Sequence, residues 1–209
     1  PAREDPRDVL ITRSGVGLDR LPKGAKIGTS SPRRRAQLMH LRPDLQVADL
    51  RGNLDTRLRK LYETDLDGII LAVAGLKRLI GVEKITEYFS IDRMVPAVGQ
   101  GALGIEIRED DLELKELLSA INNRDSETEV IAERAVLRAL GGGCQVPTGA
   151  NARLNDGVLS LIGIVCSPDG VHRVVAQTTG NPADAASLGE SLAQTLIQAG
   201  AKELLNMKR

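Results

Sequence analysis

The run DGIILAVA, residues 67–74, decides the fold class of this chain. It is almost continuously apolar, which is the pattern of a strand buried on both faces of a sheet. Gly75 then turns the chain into a helix through Leu79. Two shorter strands, each followed by a helix, precede it at residues 25–31, 33–41, 45–50 and 56–63. Strands that alternate with helices predict a parallel, doubly wound α/β sheet.

The C-terminal part predicts a small α+β domain with an antiparallel three-stranded sheet. Its strands are predicted at residues 151–154, 158–166 and 172–178, and the sequences NDG and PDG between them are strong turn signals. One helix is predicted before these strands, at residues 126–140, and another after them, from residue 182 or 183 to about 200.

The residues between these parts predict a hinge. PAVGQG at 96–101 interrupts the alternation and is followed by a predicted strand at 102–107 and a helix at 111–121. We therefore divide the chain into residues 1–95, 96–121 and 122–209, with the polar residues 1–8 as a linker.

Composition excludes several classes of protein. The 209 residues carry no formal net charge, so no overall field attracts nucleic acid or an anionic membrane. Only Tyr62, Tyr88 and Phe89 are aromatic, which opposes binding of single-stranded nucleic acid. The sequence has no membrane-spanning run, signal peptide or disulfide framework, so a cytoplasmic setting is predicted. Because the chain opens at PAREDP without an initiating methionine, we expect a processed or truncated piece.

Arginines indicate an anion site. Of the 28 basic residues, 20 are arginine, and the run 33–35 occupies the first turn of a predicted helix, where it opposes the helix dipole. A bound anion would explain this placement, with backbone N–H groups and the hydroxyls of Thr29, Ser30 and Ser31 converging on it. Arg51, Arg57 and Arg78 follow the next two strands, at the edge where ligands bind in parallel sheets. The alternative is a basic, solvated turn, which is our interpretation of Arg35. Without a nucleotide-binding glycine motif, a polycarboxylate or small phosphate fits best.

Cys144 lies in GGGCQVP, residues 141–147, a loop with little side-chain cover. The loop fits a helix C-cap with an incidental cysteine as well as a reactive thiol. His40 and His172 are the only histidines, and neither is an evident catalytic base. No CxxC pair suggests zinc, so no metal is expected. Cys144 remains a covalent attachment point, a redox thiol or an inert one, whereas Cys166 in an apolar strand is predicted to be a buried structural thiol.

Five ordered motifs resemble the porphobilinogen deaminase family, also called hydroxymethylbilane synthases, over essentially the whole chain. They are GTSSPRR at 28–34, LRGN at 50–53 with Thr56-Arg57, LAVAGLKR at 71–78, PAVGQG at 96–101 and GGCQVP at 142–147.

The resemblance implies a lobe like a type II periplasmic binding protein, followed by a domain whose cysteine, Cys144, holds a dipyrromethane cofactor as a thioether. The cofactor primes addition of four porphobilinogen units with loss of ammonia, and hydrolysis releases hydroxymethylbilane for tetrapyrrole (heme) biosynthesis. Each pyrrole carries an acetate and a propionate, so the product is a polyanion. The implied catalytic residues are Arg51, Arg57 and Arg78. The implied cofactor-binding residues are Cys144, Thr29, Ser30, Ser31, Arg33, Arg34, Arg51, Gly52, Arg57, Ala72, Gly75 and Gln100.

One departure concerns the family's catalytic aspartate, which lies in an HSxKDxP segment that this sequence lacks. We therefore expect the chain to be inactive without an N-terminal domain, its expected protein partner, and the complete protein to be a monomer. A functional alternative is a non-catalytic carboxylate-binding module, which would keep the arginine pocket but have no use for Cys144.

Overall fold

The structure, a computed structural model, describes residues 1–141 and 147–207. Two sheets organise these residues. The helices and strands are β1 (Asp8–Thr12), β2 (Lys26–Gly28), α1 (Pro32–Leu41), β3 (Gln46–Ala48), α2 (Leu54–Glu63), β4 (Gly68–Ala72), α3 (Val73–Leu79), β5 (Glu87–Tyr88), α4 (Leu112–Ser119), α5 (Arg124–Ala139), β6 (Thr148–Asn155), β7 (Val158–Cys166), β8 (Arg173–Gly180), α6 (Ala185–Gln198) and α7 (Ala201–Asn206).

The first sheet has five strands in the order β3-β2-β4-β1-β5. β2 runs parallel to both β3 and β4, as the alternation of strands and helices predicted. β1 is antiparallel to β4 and to β5, so the sheet is mixed and the prediction of a wholly parallel sheet is wrong. The linker predicted for residues 1–8 is also wrong at its end, because Asp8 begins β1 and is fully buried.

β4 is buried on both faces, as its continuous apolar run predicted. Ile69 and Leu71 pack on one face with Leu76 of α3, while Ile70 packs on the other face with Leu38 of α1. Burying side chains of this size contributes about 1.5–3 kcal/mol each. The sheet therefore holds α1 firmly, with the N-terminus of α1 at the edge where the parallel strands end.

The start of α1 follows the predicted capping pattern. Pro32 occupies the first turn, and the Ser31 side chain accepts a hydrogen bond from the Arg34 N–H at 3.4 Å. A capping serine and a proline in the first turn both favour this boundary. The cap fixes where the arginines that follow it begin.

The second sheet, β6-β7-β8, is antiparallel throughout, so the prediction of a three-stranded antiparallel sheet is confirmed. One face packs against α5, α6 and α7. Gly189 lies where α6 meets α5, and a Cβ there would be 2.3 Å from the carbonyl oxygen of Ala132. None of the helices in the described ranges is long and apolar enough to span a bilayer.

Residues 102–121 contain one helix, α4, and the strand predicted at 102–107 is wrong. All of residues 102–107 are described, and no strand runs beside them to complete a ladder. Leu103, Ile105 and Leu117 are 51%, 55% and 65% exposed. This segment therefore exposes several large apolar side chains.

The other face of the second sheet packs on the first half of the chain. Ile164 and Cys166 form one buried cluster with Ala36 and Val95, so Cys166 is buried as predicted. The turn after β7 reaches α1, where His40 Nδ1 lies 3.1 Å from the carbonyl oxygen of Gly170. Burial of an apolar cluster at this boundary stabilises the two halves against each other.

Replacing Gly170 with alanine should loosen this contact. Gly170 has φ +75°, and an added Cβ would lie 2.3 Å from the carbonyl oxygen of Ala36. Left-handed strain and the forced displacement of the turn together should lower the free energy of unfolding by about 2–4 kcal/mol. Urea denaturation followed by far-UV circular dichroism measures the loss.

Gly157→Ala is the matched control. Gly157 has the same φ of +75°, but an added Cβ would meet nothing within 4 Å. It should therefore lose only the strain, about 1–2 kcal/mol. Equal losses in the two variants would show that the Gly170 turn does not stabilise the contact with α1.

Candidate functional site

A cavity of about 300 Å³ opens where β2, β3 and β4 end. Its lining residues are Thr29, Ser30, Ser31, Pro32, Arg34, Leu50, Arg57 and Ile70. The first residues come from the loop after β2 and the start of α1, and Arg57 comes from α2. The structure thus brings together five of the residues that the sequence predicted for an anion site.

The lining of this cavity suits an anion. It contains two guanidinium groups and three hydroxyls, and none of these described lining residues is acidic. Thr29 Oγ1 accepts the Ser31 N–H at 3.3 Å, and Ser30 Oγ accepts the Leu50 N–H at 2.9 Å. A hydroxyl that accepts one such bond can still donate its own proton. The N-terminus of α1 adds a favourable dipole for negative charge.

Arg33 is not among the residues that line this cavity. Its Nη1 donates to Asp8 Oδ2 at 2.6 Å and to the carbonyl oxygen of Val95 at 2.7 Å, and Nη2 donates to Gln100 Oε1 at 3.3 Å. The side chain is 5% exposed. Adjacent residues on a helix point about 100° apart, so the side chains of Arg33 and Arg34 leave α1 in different directions.

Arg34 reaches both the cavity and the same aspartate. Its Nε donates to Asp8 Oδ1 at 2.9 Å, its Nη2 lies 2.8 Å from that oxygen, and its Nη1 donates to the carbonyl oxygen of Ile70 at 3.3 Å. Arg35, predicted to be solvated, is half-buried and pairs with Asp49 at 3.0 Å. The three consecutive arginines therefore have three different environments.

Asp8 is the residue that sequence reasoning missed. Burial alone would raise the pKa of Asp8, but the charges of Arg33 and Arg34 and a hydrogen bond from Gln100 outweigh it and lower the pKa below its usual value. The paired carboxylate stabilises the fold fully above the unfolded pKa of about 3.9, and this contribution is lost as the pH falls through the lower folded value. The sequence signal that could have identified Asp8 was an acidic residue directly before the apolar run at residues 9–11.

The other predicted residues lie outside the lining of this cavity. Arg51 and Gly52 are exposed in the loop before α2, and the Gly52 carbonyl accepts from Arg57 Nε at 2.9 Å, which helps to hold Arg57. Arg78 is exposed on α3. Ala72 ends β4 and Gly75 lies within α3.

Gln100 is part of the connection between the two halves of the chain. Its side chain bonds Arg33, Asp8 and the carbonyl oxygen of Pro6, and its own carbonyl accepts from Arg3 Nε at 3.0 Å. The Arg3 guanidinium then pairs with Glu133 of α5. Gln100 thus holds Arg33 and Asp8 in place through hydrogen bonds and is not part of the cavity lining.

Cys144 lies outside the described residues, as do its neighbours from 142 to 146. The described chain resumes at Pro147, and two residues later Gly149 lies so close to Arg33 that an added Cβ would be 3.2 Å from Arg33 Cδ. The backbone N–H of Ala150 donates to the Pro96 carbonyl at 3.1 Å. The end of the loop that carries Cys144 is therefore anchored beside Arg33.

Residues 1–116 match the family model described as porphobilinogen deaminase, dipyromethane cofactor binding domain. The chain belongs to the porphobilinogen deaminase family. The C-terminal domain model of porphobilinogen deaminase matches residues 127–198. The resemblance carried by the five motifs is confirmed.

Curated relatives named porphobilinogen deaminase are similar over nearly the whole chain. The relative from Syntrophobacter fumaroxidans is 49% identical over 98% of this chain and 66% of its own length. That from Syntrophotalea carbinolica is 50% identical over 98% of this chain and 65% of its own length. That from Alkaliphilus metalliredigens is 52% identical over 97% and 64%. The chain thus spans about 65% of the length of the porphobilinogen deaminases it matches.

One solved structure, an arginine-specific periplasmic binding protein of Salmonella typhimurium, aligns with 57% of this chain and 56% of its own length, at 21% identity. Its TM-score of 0.36 is too low to establish a shared fold.

The cavity fits a carboxylate arm of the dipyrromethane cofactor of porphobilinogen deaminases. Arg34 and Arg57 supply cationic donors, and the three hydroxyls add neutral ones. At about 300 Å³ the cavity suits one arm better than the whole two-ring group.

Proposed function

We propose that this chain is the cofactor-bearing part of a hydroxymethylbilane synthase. The complete enzyme is a transferase that joins four porphobilinogen units with release of ammonia, for tetrapyrrole and heme biosynthesis. Its dipyrromethane cofactor is attached to Cys144 through a thioether. When bound, the cofactor supplies the pyrrole terminus to which new units are added.

The observation that carries this proposal is the set of donors in the cavity at the strand ends. Arg34 and Arg57 share it with Thr29, Ser30 and Ser31, and no acid is present among these lining residues. Carboxylates accept bidentate and charge-assisted bonds from guanidinium groups, and each pyrrole unit carries two carboxylates. The cavity residues therefore bind and orient the carboxylates of the pyrrole units.

The remaining predicted residues take roles that match their places. Arg51 and Arg78 are exposed cations that meet the carboxylates of incoming porphobilinogen and of the growing product. Gly52 and Gln100 hold Arg57 and Arg33 through hydrogen bonds. Ala72 and Gly75 are small residues at and just after the end of β4. The space beside Gly75 is open, because a Cβ there would meet nothing within 4 Å, so these residues keep the end of β4 free of bulky side chains.

The anchoring of Gly149 beside Arg33 supports attachment at Cys144. Only Pro147 and Thr148 separate residues 142–146, which the structure does not describe, from the contact at Gly149. A cysteine thiolate is strongly nucleophilic and forms a stable thioether with a carbon electrophile. Cys144 lies five positions before Gly149, so a cofactor tethered there starts within about 18 Å of that contact.

An N-terminal domain is the protein partner in this proposal. Residues 1–95 form the second domain, residues 96–121 form the hinge and a remnant of the first domain, and residues 122–209 form the third. Exposed Leu103, Ile105 and Leu117 support this division, because an N-terminal domain would bury them. It would also contribute the acid/base aspartate. We further propose a type II binding-protein lobe of the doubly wound kind, a monomeric enzyme and a cytoplasmic location.

Arg57→Leu should weaken binding of porphobilinogen to the 209-residue chain by about 10- to 100-fold. Removing a guanidinium that bonds a carboxylate costs a charge-assisted interaction and leaves fewer donors in the cavity. Isothermal titration calorimetry at fixed salt measures the change.

Arg59→Leu is the matched control, because Arg59 lies on the same helix but is 65% exposed and pairs with Glu63. It should leave the affinity within about twofold of the original. If both variants bind porphobilinogen alike, α2 contributes only general positive charge and the cavity is not the carboxylate site.

A further inference from the structure

We propose that Asp8 is the positioning residue of this cavity: it fixes the Arg34 guanidinium in the orientation that binds a carboxylate. The inference rests on the proposed function of the cavity. Asp8 lies on β1 and is fully buried, so it does not touch the ligand itself. It acts through the two arginines that it bonds.

The contacts of Asp8 fix one edge of Arg34. Both Nε and Nη2 of Arg34 approach Asp8 Oδ1, at 2.9 Å and 2.8 Å, while Nη1 donates to the carbonyl oxygen of Ile70. An arginine has five N–H donors in a rigid plane. With Nε and Nη1 hydrogen-bonded and Nη2 paired with Asp8, the plane of the guanidinium is held in one orientation, and its remaining N–H groups are available to an anion in the cavity.

Asp8 is itself held by two further donors. Arg33 Nη1 donates to Oδ2 at 2.6 Å, and Gln100 Nε2 donates to Oδ1 at 3.0 Å. Gln100 in turn accepts from Arg33 Nη2 at 3.3 Å. A carboxylate with this many donors has a single orientation, which it passes to Arg34.

The positive charges of the neighbouring arginines give a second reason why Asp8 is needed. Arg33 and Arg34 are adjacent and buried, and the pKa of Arg34 is lowered by burial, with Arg33 and Arg57 adding to this effect. One carboxylate between them offsets part of the repulsion. Three arginines and one aspartate still leave two net positive charges to attract an anion.

Two roles for Asp8 predict opposite signs. If Asp8 only reduced the positive potential, its neutralisation would strengthen anion binding. If Asp8 positions Arg34, neutralisation of Asp8 weakens anion binding even though the site becomes more positive. We therefore expect Asp8→Asn to weaken porphobilinogen binding by at least about tenfold.

The experiment compares the 209-residue chain with its variants by isothermal titration calorimetry with porphobilinogen, and confirms folding by circular dichroism. Asp49→Asn is the control, since it removes an exposed carboxylate from Arg35 of the same helix. We expect it to leave the affinity within about twofold. Equal or tighter binding by Asp8→Asn would overturn the positioning role.

Asp8→Glu separates positioning from mere structural need. Asparagine has the shape of aspartate, so a structural role ranks the Asn variant above the Glu variant. Glutamate keeps the carboxylate, so the positioning role ranks the Glu variant above the Asn variant in affinity. The reverse ranking would count against positioning.

If Asp8→Asn does not fold, the double variant Asp8→Asn/Arg33→Gln replaces it, because it removes one charge of each sign. It should fold and still bind porphobilinogen at least about tenfold more weakly. Affinity equal to that of the original chain would refute the inference. Failure of the original chain to bind porphobilinogen is a different result, which refutes the proposed function and removes the basis of the inference.

Discussion

Replacing Arg3 with methionine should lower the free energy of unfolding by about 3–5 kcal/mol, which is typical when one partner of a buried ion pair is removed. The Arg3 and Glu133 side chains are 5% and 0% exposed. Arg3 Nη1 donates to Glu133 Oε1 at 2.6 Å and Nη2 donates to Oε2 at 3.1 Å. Burial already raises the pKa of Glu133 against the opposing charge of Arg3, and without Arg3 only neutral donors would oppose this burial, the N–H groups of Gly99 and Ala152 and the amide of Asn151. Urea denaturation measures the loss.

Two further variants test the cause. Arg59→Met breaks an exposed pair with Glu63 and should cost less than about 0.5 kcal/mol. The double variant Arg3→Met/Glu133→Gln should recover part of the loss, because a neutral amide needs no counter-ion but still accepts the backbone N–H bonds. A double variant as unstable as Arg3→Met alone would show that lost packing, not the unpaired charge, causes the effect.

Replacing Cys144 with serine should abolish attachment of the cofactor and, with it, formation of hydroxymethylbilane. A serine hydroxyl is a far weaker nucleophile than a thiolate, and no thioether can form. The test uses the chain produced together with the N-terminal third of a curated relative. Intact-mass spectrometry should find the mass of two pyrrole units on the original protein and none on the variant.

Cys166→Ala is the control for this experiment. Cys166 is fully buried, and burial raises the pKa of its thiol to about 12, so it carries no thiolate at neutral pH. The variant should keep the added mass. An unmodified Cys144 in the assembled protein, together with intact porphobilinogen binding, would instead favour a non-catalytic carboxylate-binding module.

Features with local signals could be predicted from the sequence. Ser31 and Pro32 define the start of α1 through one hydrogen bond and one fixed dihedral angle, and both act within three residues. The turn between β6 and β7 is equally local, since Asp156 and Gly157 adopt φ values of +48° and +75°. The strand-end position of Thr29, Ser30, Ser31, Arg34 and Arg57 followed from the same local pattern of strands and helices.

Features that depend on distant contacts could not be predicted. Asp8 lies 25 residues from Arg33, and nothing near either residue announces that they pair. β1 joins the sheet only through antiparallel partners far along the chain, which the alternation of strands and helices does not reveal. The strand predicted at 102–107 has a suitable apolar pattern, but a strand requires a neighbour to accept its hydrogen bonds.

The Arg3–Glu133 pair also limits when the two halves can join during synthesis. The two residues are 130 positions apart, and translation at about 5–20 residues per second delivers Glu133 roughly 7–26 s after Arg3. The first sheet can assemble before that interval ends, because β5 ends at Tyr88, whereas the Glu133 carboxylate that pairs with Arg3 is not yet present. The ion pair that joins the two halves therefore cannot form until α5 has been made.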